Sequence, residues 1–223
     1  MKRVVTAELL DTDSGTPAEI AASLDDLRRI NRWFGGVATA EDTIRRVARE
    51  INVSSLSLLE VAAGSGYVPE TARERLQNQG LRLQVTLLDR APSHMNGGTR
   101  SVAGDAIALP FRDASFDLVS CNLFAHHLSP EQFVQFVNDG LRVCRAAVLI
   151  NDLVRHPLHL SLVYAGLPLY SSRLTRHDAP ASVRQAYTPG EMQALLAQTS
   201  ASRTEIHRHY LFRVGVIAWK TSR

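Results

Sequence analysis

Apolar and polar positions along this chain switch between a helical and a strand period, and the switches lay out its elements. Thr16-Pro17-Ala18-Glu19 has the form of a capping box with proline at the first helical position, and Ile20, Leu24, Leu27 and Ile30 then recur at helical spacing. That helix is expected to stop near Gly35-Gly36, and a second to start at Thr39-Ala40-Glu41-Asp42 with Ile44, Val47, Ala48 and Ile51 on one face. Short apolar runs then alternate with helical segments, which places strands near 56–61, 83–88, 100–103, 117–123 and 146–151. Ser129-Pro130-Glu131-Gln132 opens another helix, an apolar stretch runs from His156 to Tyr170, Thr188-Pro189-Gly190-Glu191 caps a last helix, and Ile206 to Trp219 reads as a hairpin. Pro92 to Gly98 is too short and glycine-rich for a long crossover helix. Strands alternating with helices imply an α/β fold whose parallel sheet is covered on both faces.

Chemistry enters at Glu60-Val61-Ala62-Ala63-Gly64-Ser65-Gly66, which follows the first apolar run and leads into a helix from about Pro69 to Gln79. Glycines in such a loop let a ligand approach the backbone, and the positive end of the helix dipole faces it. A dinucleotide site wants three glycines as G-x-G-x-x-G. Here the aligned residues are Ala62, Gly64 and Tyr67, and Glu60 at the strand end would repel a pyrophosphate. A carboxylate suits instead a ligand carrying ammonium and sulfonium groups.

The segment resembles the E-x-G-x-G-x-G signature of class I S-adenosylmethionine-dependent methyltransferases, with Ala62 where that family usually has its first glycine. Further matches follow in the family's order. Asp89 ends the second apolar run, 23 residues beyond Gly66; Gly104-Asp105-Ala106, Leu109-Pro110-Phe111 and Phe116-Asp117-Leu118-Val119 come after it. Together they cover Glu60 to about Asp152. The resemblance is to the ubiquinone and menaquinone biosynthesis branch, and more loosely to small bacterial methyltransferases encoded beside type III polyketide synthases. It implies a Rossmann-like fold with a seven-stranded, mostly parallel sheet and an antiparallel strand from the C-terminal hairpin. It also implies an N-terminal helical lid over residues 1–55, an S-adenosylmethionine-binding domain over 56–223, and an acceptor-binding insertion at about 153–187.

By the same resemblance Glu60 addresses the amino-acid end of the cofactor, Ala62, Gly64 and Gly66 shape the loop, Asp89 holds the ribose, and Asp105 with Ala106 contacts the adenine; Arg90 and Asn122 flank them. Methyl transfer from a sulfonium needs mainly orientation, with a general base where the acceptor is a phenol or enol. Candidates for that base lie at strand ends: His126 and His127 after the fourth strand and Asp152 after the fifth. Adjacent histidines point in different directions, so at most one is expected to face the acceptor; Asp152 is equally a helix cap. No metal is expected, because His-His adjacency lacks i, i+4 spacing and no cluster supports it.

Composition changes this picture little. A chain of 223 residues with 45% hydrophobic content suits one α/β domain. Its N-terminus meets Glu8 and Asp11 before any long apolar run, which is unlike a signal peptide, and no 18-residue apolar stretch occurs, so no membrane span and a cytoplasmic protein are expected. Cys121 and Cys144 are expected as buried free thiols. Residues 153–223 carry 9 Lys and Arg against 3 Asp and Glu. That basic third leaves an RNA or protein methyltransferase open as an alternative, beside a module that binds the cofactor without catalysis. The fourth-strand end, Asn122-Leu123-Phe124-Ala125, lacks the Pro-Pro loop of amine methyltransferases, which favours O- or C-methylation of a small acceptor over a nucleic-acid substrate.

Overall fold

The computed structural model describes residues 1–12, 14–90 and 100–221; the expectation for Pro92 to Gly98 lies outside the described residues. Seven strands form one sheet: β1 (Ser55–Val61), β2 (Arg82–Asp89), β3 (Arg100–Ala103), β4 (Phe116–Asn122), β5 (Cys144–Leu153), β6 (Arg203–His209) and β7 (Arg213–Trp219). Their order is β3-β2-β1-β4-β5-β7-β6, with β1 to β5 parallel and β7 antiparallel to both β5 and β6. This is the Rossmann-like, mostly parallel sheet with an antiparallel hairpin that the sequence implies. Strand order reverses between β1 and β4, and the ends of those strands open onto the cleft where such sheets bind ligands.

The two-residue period of each strand divides the core. Leu59 and Val61 of β1 face α4 (Pro130–Val143) and α7 (Pro189–Leu196), where Phe133, Phe136 and Met192 are fully buried. Leu56 and Leu58 face the opposite way, onto α2 (Gly36–Glu50) and α3 (Tyr67–Gln77) through Ile44, Val47, Ala72 and Leu76. Cys121 and Cys144 are buried free thiols.

Helix α1 (Pro17–Trp33) carries the expected Thr16 capping box, but α2 starts earlier than the sequence suggested. Its cap is Gly35 at φ +81°, so Thr39 already lies within the first turn. The expectation that both N-terminal helices form a lid is corrected for α2, which packs on β5, β7 and α3 as part of the sheet's covering layer. Only α1 stands away from the strands, against α6 (Arg173–Gln185). Ser23 and Thr175 share a hydrogen bond of 3.0 Å, and Asp26 accepts from the backbone N–H groups of Ser171 and Ser172 at 3.1 and 2.9 Å. The apolar stretch after β5 forms α5 (Pro157–Gly166), and the connector after it is the helix α6, which contains Pro180.

The first twelve residues act as a strap across this roof. Arg3 donates to the carbonyls of Gln185, His126 and Leu128 at 2.7 to 2.9 Å and lies over the Tyr187 ring. Asp178 of α6 accepts from the backbone N–H groups of Leu9 and Leu10 at 2.8 and 3.0 Å. No described helix is long and apolar enough to cross a membrane.

Candidate active site

A cavity of about 1200 Å³ lies over the C-terminal ends of β1, β2 and β4, closed above by the strap, α1, α5 and α6. Its two ends differ in chemistry. At one end the loop after β1 turns through left-handed backbone: Ala62 at φ +52°, Gly64 at +52° and Gly66 at +69°. Ala62 is therefore an L-residue in a glycine conformation. A Cβ built on Gly64 would meet nothing within 4 Å, so that face is open to a ligand, whereas one on Gly66 would strike Leu87 at 2.6 Å. The loop is tied to the neighbouring strand, since Asp89 accepts from the Gly64 N–H at 2.7 Å and Leu88 from the Ala63 N–H at 3.1 Å.

Glu60 is buried at the base of this end. Burial pushes its carboxyl up to about 7, against hydrogen bonds from Ser120 and Asn122, the latter at 2.7 Å. Asn122 in turn accepts from Asn151 Nδ2, which also donates to the Gly36 carbonyl at 2.8 Å. At the rim, Asp105 accepts from the Ile107 N–H and pairs with Arg90, both at 3.1 Å.

The other end is built around His126 and His127, which sit in a single 3₁₀ turn, Ala125–His127, after β4. Asp152 takes the His126 backbone N–H at 2.9 Å and its ring Nδ1 at 2.6 Å, with both side chains buried. Burial alone would depress this imidazole, but the Asp152 charge and hydrogen bond, with Glu8 beyond, push it up to about 10. Asp152 is held low by the same pairing, although its burial acts the other way. His127 Nδ1 meets Asp11 at 2.9 Å, and the two imidazole rings lie 4.2 Å apart. Glu8 approaches both Nε2 atoms, at 3.6 Å from His126 and 3.9 Å from His127.

Residues 59–148 match the family model described as a methyltransferase domain. The chain carries a methyltransferase domain over those residues. Its fold is similar to that of the plantazolicin methyltransferase BpumL, solved with a monoazolic desmethylPZN analog and SAH, at TM-score 0.71 and 14% identity over 96% of this chain and 93% of that one. An O-methyltransferase family 2 protein from Planctomyces limnophilus, in complex with apigenin, matches at TM-score 0.61 and 16% identity over 93% of this chain and 63% of that protein. A Nostoc punctiforme protein named as a candidate O-methyltransferase matches at TM-score 0.53 and 14% identity, with 81% of this chain covering 56% of that one. No curated protein matches the sequence.

Most residues singled out from the sequence meet at this cavity. Glu60, Ala62, Gly64, Asp89, Arg90, Asp105, Ala106, Asn122, His126 and His127 all line it. Gly66 instead packs under the loop on Leu87, and Asp152 is fully buried and reaches the cavity through His126. Two expectations are corrected. Both histidines line the cavity, with their rings 4.2 Å apart. The carboxylates that the argument against a metal found missing are supplied by the strap, as Glu8 and Asp11.

Sequence reasoning also missed Arg213. It is buried at the start of β7 and lines the cavity; burial lowers its pKa to about 10. Nη2 donates to Asn31 at 2.9 Å, and Nη1 has no hydrogen-bond partner among the described residues. An arginine in a terminal hairpin ordinarily reads as solvated, so no local signal marked it.

Proposed function

We propose that this methyltransferase uses S-adenosylmethionine to methylate an oxygen or carbon of a small aromatic or polyketide-like acceptor. The observation that carries this reading is one cavity with the acid-lined glycine loop at one end and the paired histidines at the other. The loop end fits the cofactor: the Gly64 face is open, Asp89 stands at the end of β2, and the buried acid Glu60 lies beneath. When bound, the cofactor supplies an electrophilic methyl group on a sulfonium.

The chain's own residues do the rest. Asp89 accepts the ribose hydroxyls, Asp105 and Ala106 border the adenine, and Glu60 favours the ammonium end through the loop. Asn122, fixed by Asn151, keeps the Glu60 carboxylate in place. A His126 with a pKa of about 10 is protonated at neutral pH, so it donates from Nε2 to the acceptor's oxygen and stabilises negative charge there. His127, oriented by Asp11, is the candidate general base. Asp152 is a positioning residue for His126.

Apolar side chains of α1 and α5, among them Leu24, Leu27, Leu162 and Val163, supply the wall for a flat apolar acceptor. The unmatched Arg213 Nη1 favours an acceptor carrying an acidic oxygen, such as a phenolate or enolate. The arginines of the C-terminal third support a small acceptor over RNA, because Arg155 pairs with Glu191, Arg173 with Glu19 and Arg203 with Glu50 and Glu205. The test is a transfer screen with methyl-labelled cofactor against phenols, alkylresorcinols, pyrones and quinols. Label entering at least one class supports the reading; label entering only RNA or protein overturns it.

A further inference from the structure

We propose that Glu8, His126 and His127 form a binding site for a divalent first-row transition cation at the acceptor end of the cavity. One ligand atom from each residue lies within 4.8 Å of the other two, with Glu8 Oε1 at 3.6 Å from His126 Nε2 and Glu8 Oε2 at 3.9 Å from His127 Nε2. An ion held tetrahedrally at about 2.0–2.1 Å from nitrogen and oxygen ligands separates them by roughly 3.4 Å. The 3.6 and 3.9 Å gaps from Glu8 to the two rings are therefore near the bound spacing already.

The surroundings of these three residues resemble the support a metal ligand needs. A ligating histidine ordinarily gives its second ring nitrogen to a carboxylate or carbonyl, which fixes the ring and makes the free nitrogen more basic. Both rings here do so: His126 Nδ1 is on Asp152 at 2.6 Å and His127 Nδ1 is on Asp11 at 2.9 Å. Glu8 is fixed in turn by Ser182 Oγ and Gln185 Nε2, which donate to its Oε1 at 2.6 and 2.7 Å. The buried His126 Nε2, in a side chain 2% exposed, has no hydrogen-bond partner among the described residues. That atom lies 3.6 Å from Glu8 Oε1. Three carboxylates, Glu8, Asp11 and Asp152, surround the two imidazoles.

Two histidines and one carboxylate, with positions left open, are a donor set for zinc, cobalt, iron or manganese. All three ligands line the cavity, so the open positions face the acceptor. An acceptor hydroxyl binding there loses its proton to water: the O–H bond breaks, the electron pair stays on oxygen, and the ion holds the resulting oxyanion. As it binds, the ion displaces the His126 Nε2 proton to water, and it would take over the roles given above to the two imidazoles. This inference rests on the methyltransferase reading for its purpose, but not for its test.

That test is titration of chelator-treated protein with Co²⁺, followed by visible absorption and calorimetry without cofactor or acceptor. One equivalent of Co²⁺ with ligand-field bands is expected, displaced by Zn²⁺. Two ligands, His127 and Glu8 at 21% and 10% side-chain exposure, supply variants that spare the fully buried His126–Asp152 pair: His127→Ala and Glu8→Gln are each expected to weaken binding at least tenfold, and Asp11→Asn by about 10- to 100-fold through loss of orientation. His207→Ala, on the distant hairpin, is expected to change nothing. Absence of binding at millimolar Co²⁺ in folded protein overturns the site, as does binding unchanged in both His127→Ala and Glu8→Gln. Calorimetry with S-adenosylhomocysteine on the same samples keeps the two readings apart, since loss of that binding counts against the methyltransferase reading and leaves the cation result standing.

Discussion

Asp152, at the end of β5, holds His126 of the neighbouring strand end by both the backbone N–H and the ring Nδ1, at 2.9 and 2.6 Å. The pair joins the two strands that frame the acceptor end and fixes which imidazole nitrogen faces the cavity. Removing one partner of a buried pair leaves the other charged and unsatisfied, at a cost of about 3–5 kcal/mol. Asp152→Ala is therefore expected to lose about that much stability in urea unfolding. Turnover should fall with it, while affinity for S-adenosylhomocysteine in the folded fraction stays near wild type. A loss below 1 kcal/mol would show that the pair holds nothing.

Glu60 gives a pH dependence with a definite sign. Its carboxyl lies at about 7 in the fold, against 4.5 as the ordinary value, because burial disfavours the charge. The native state thus binds more protons than the unfolded chain between those values, and the protein loses stability as pH rises through that window, by a total on the order of 3 kcal/mol, levelling above about 7. Ionisation also creates the charge that favours the cofactor's ammonium, so cofactor affinity is expected to rise over the same range. Glu60→Gln should flatten both profiles when unfolding and binding are measured from pH 5 to 8.

Ala62 pays a local conformational penalty that glycine would not. With φ at +52° its side chain crowds its own backbone, and left-handed geometry costs an L-residue about 1–2 kcal/mol, partly offset by the greater freedom of glycine in the unfolded chain. Ala62→Gly is expected to raise stability by roughly 0.5–1 kcal/mol, a rise of a few degrees in Tm. A lower Tm would show that the methyl group is packed favourably instead.

Much of the fold was legible because its signals are local. Three Ser or Thr capping boxes, at Thr16, Ser129 and Thr188, marked helix starts that the structure reproduces. The strands expected at 56–61, 83–88 and 117–123 form as β1, β2 and β4, each ending within one residue of the expected position. The loop end of the cavity was legible for the same reason: Glu60 and Asp89 lie at the ends of β1 and β2, and Gly64 and Asp105 closely follow β1 and β3. The acceptor end was not. Glu8 meets His126 from 118 positions away in sequence because Arg3, Leu9 and Leu10 strap the N-terminus to α6 and the histidine turn. Nothing periodic announces a strap. Arg213 was hidden by the same physics, since its partner Asn31 on α1 lies 182 positions away in sequence. The helix over Arg173 to Gln185 was obscured by Pro180, which lies inside it.

The most direct measurement of the central claim is calorimetric titration of S-adenosylhomocysteine into the wild type and Asp89→Ala. Asp89 ends β2 beside the open glycine loop, and losing hydrogen bonds to a charged acceptor costs about 1.5–3 kcal/mol, or roughly 10- to 150-fold in affinity. The account predicts micromolar binding at one site in the wild type, thermal stabilisation of about 2.7 kcal/mol at one hundred times Kd, and that loss in the variant. An absence of binding to S-adenosylhomocysteine by wild-type protein that binds NADH would contradict it.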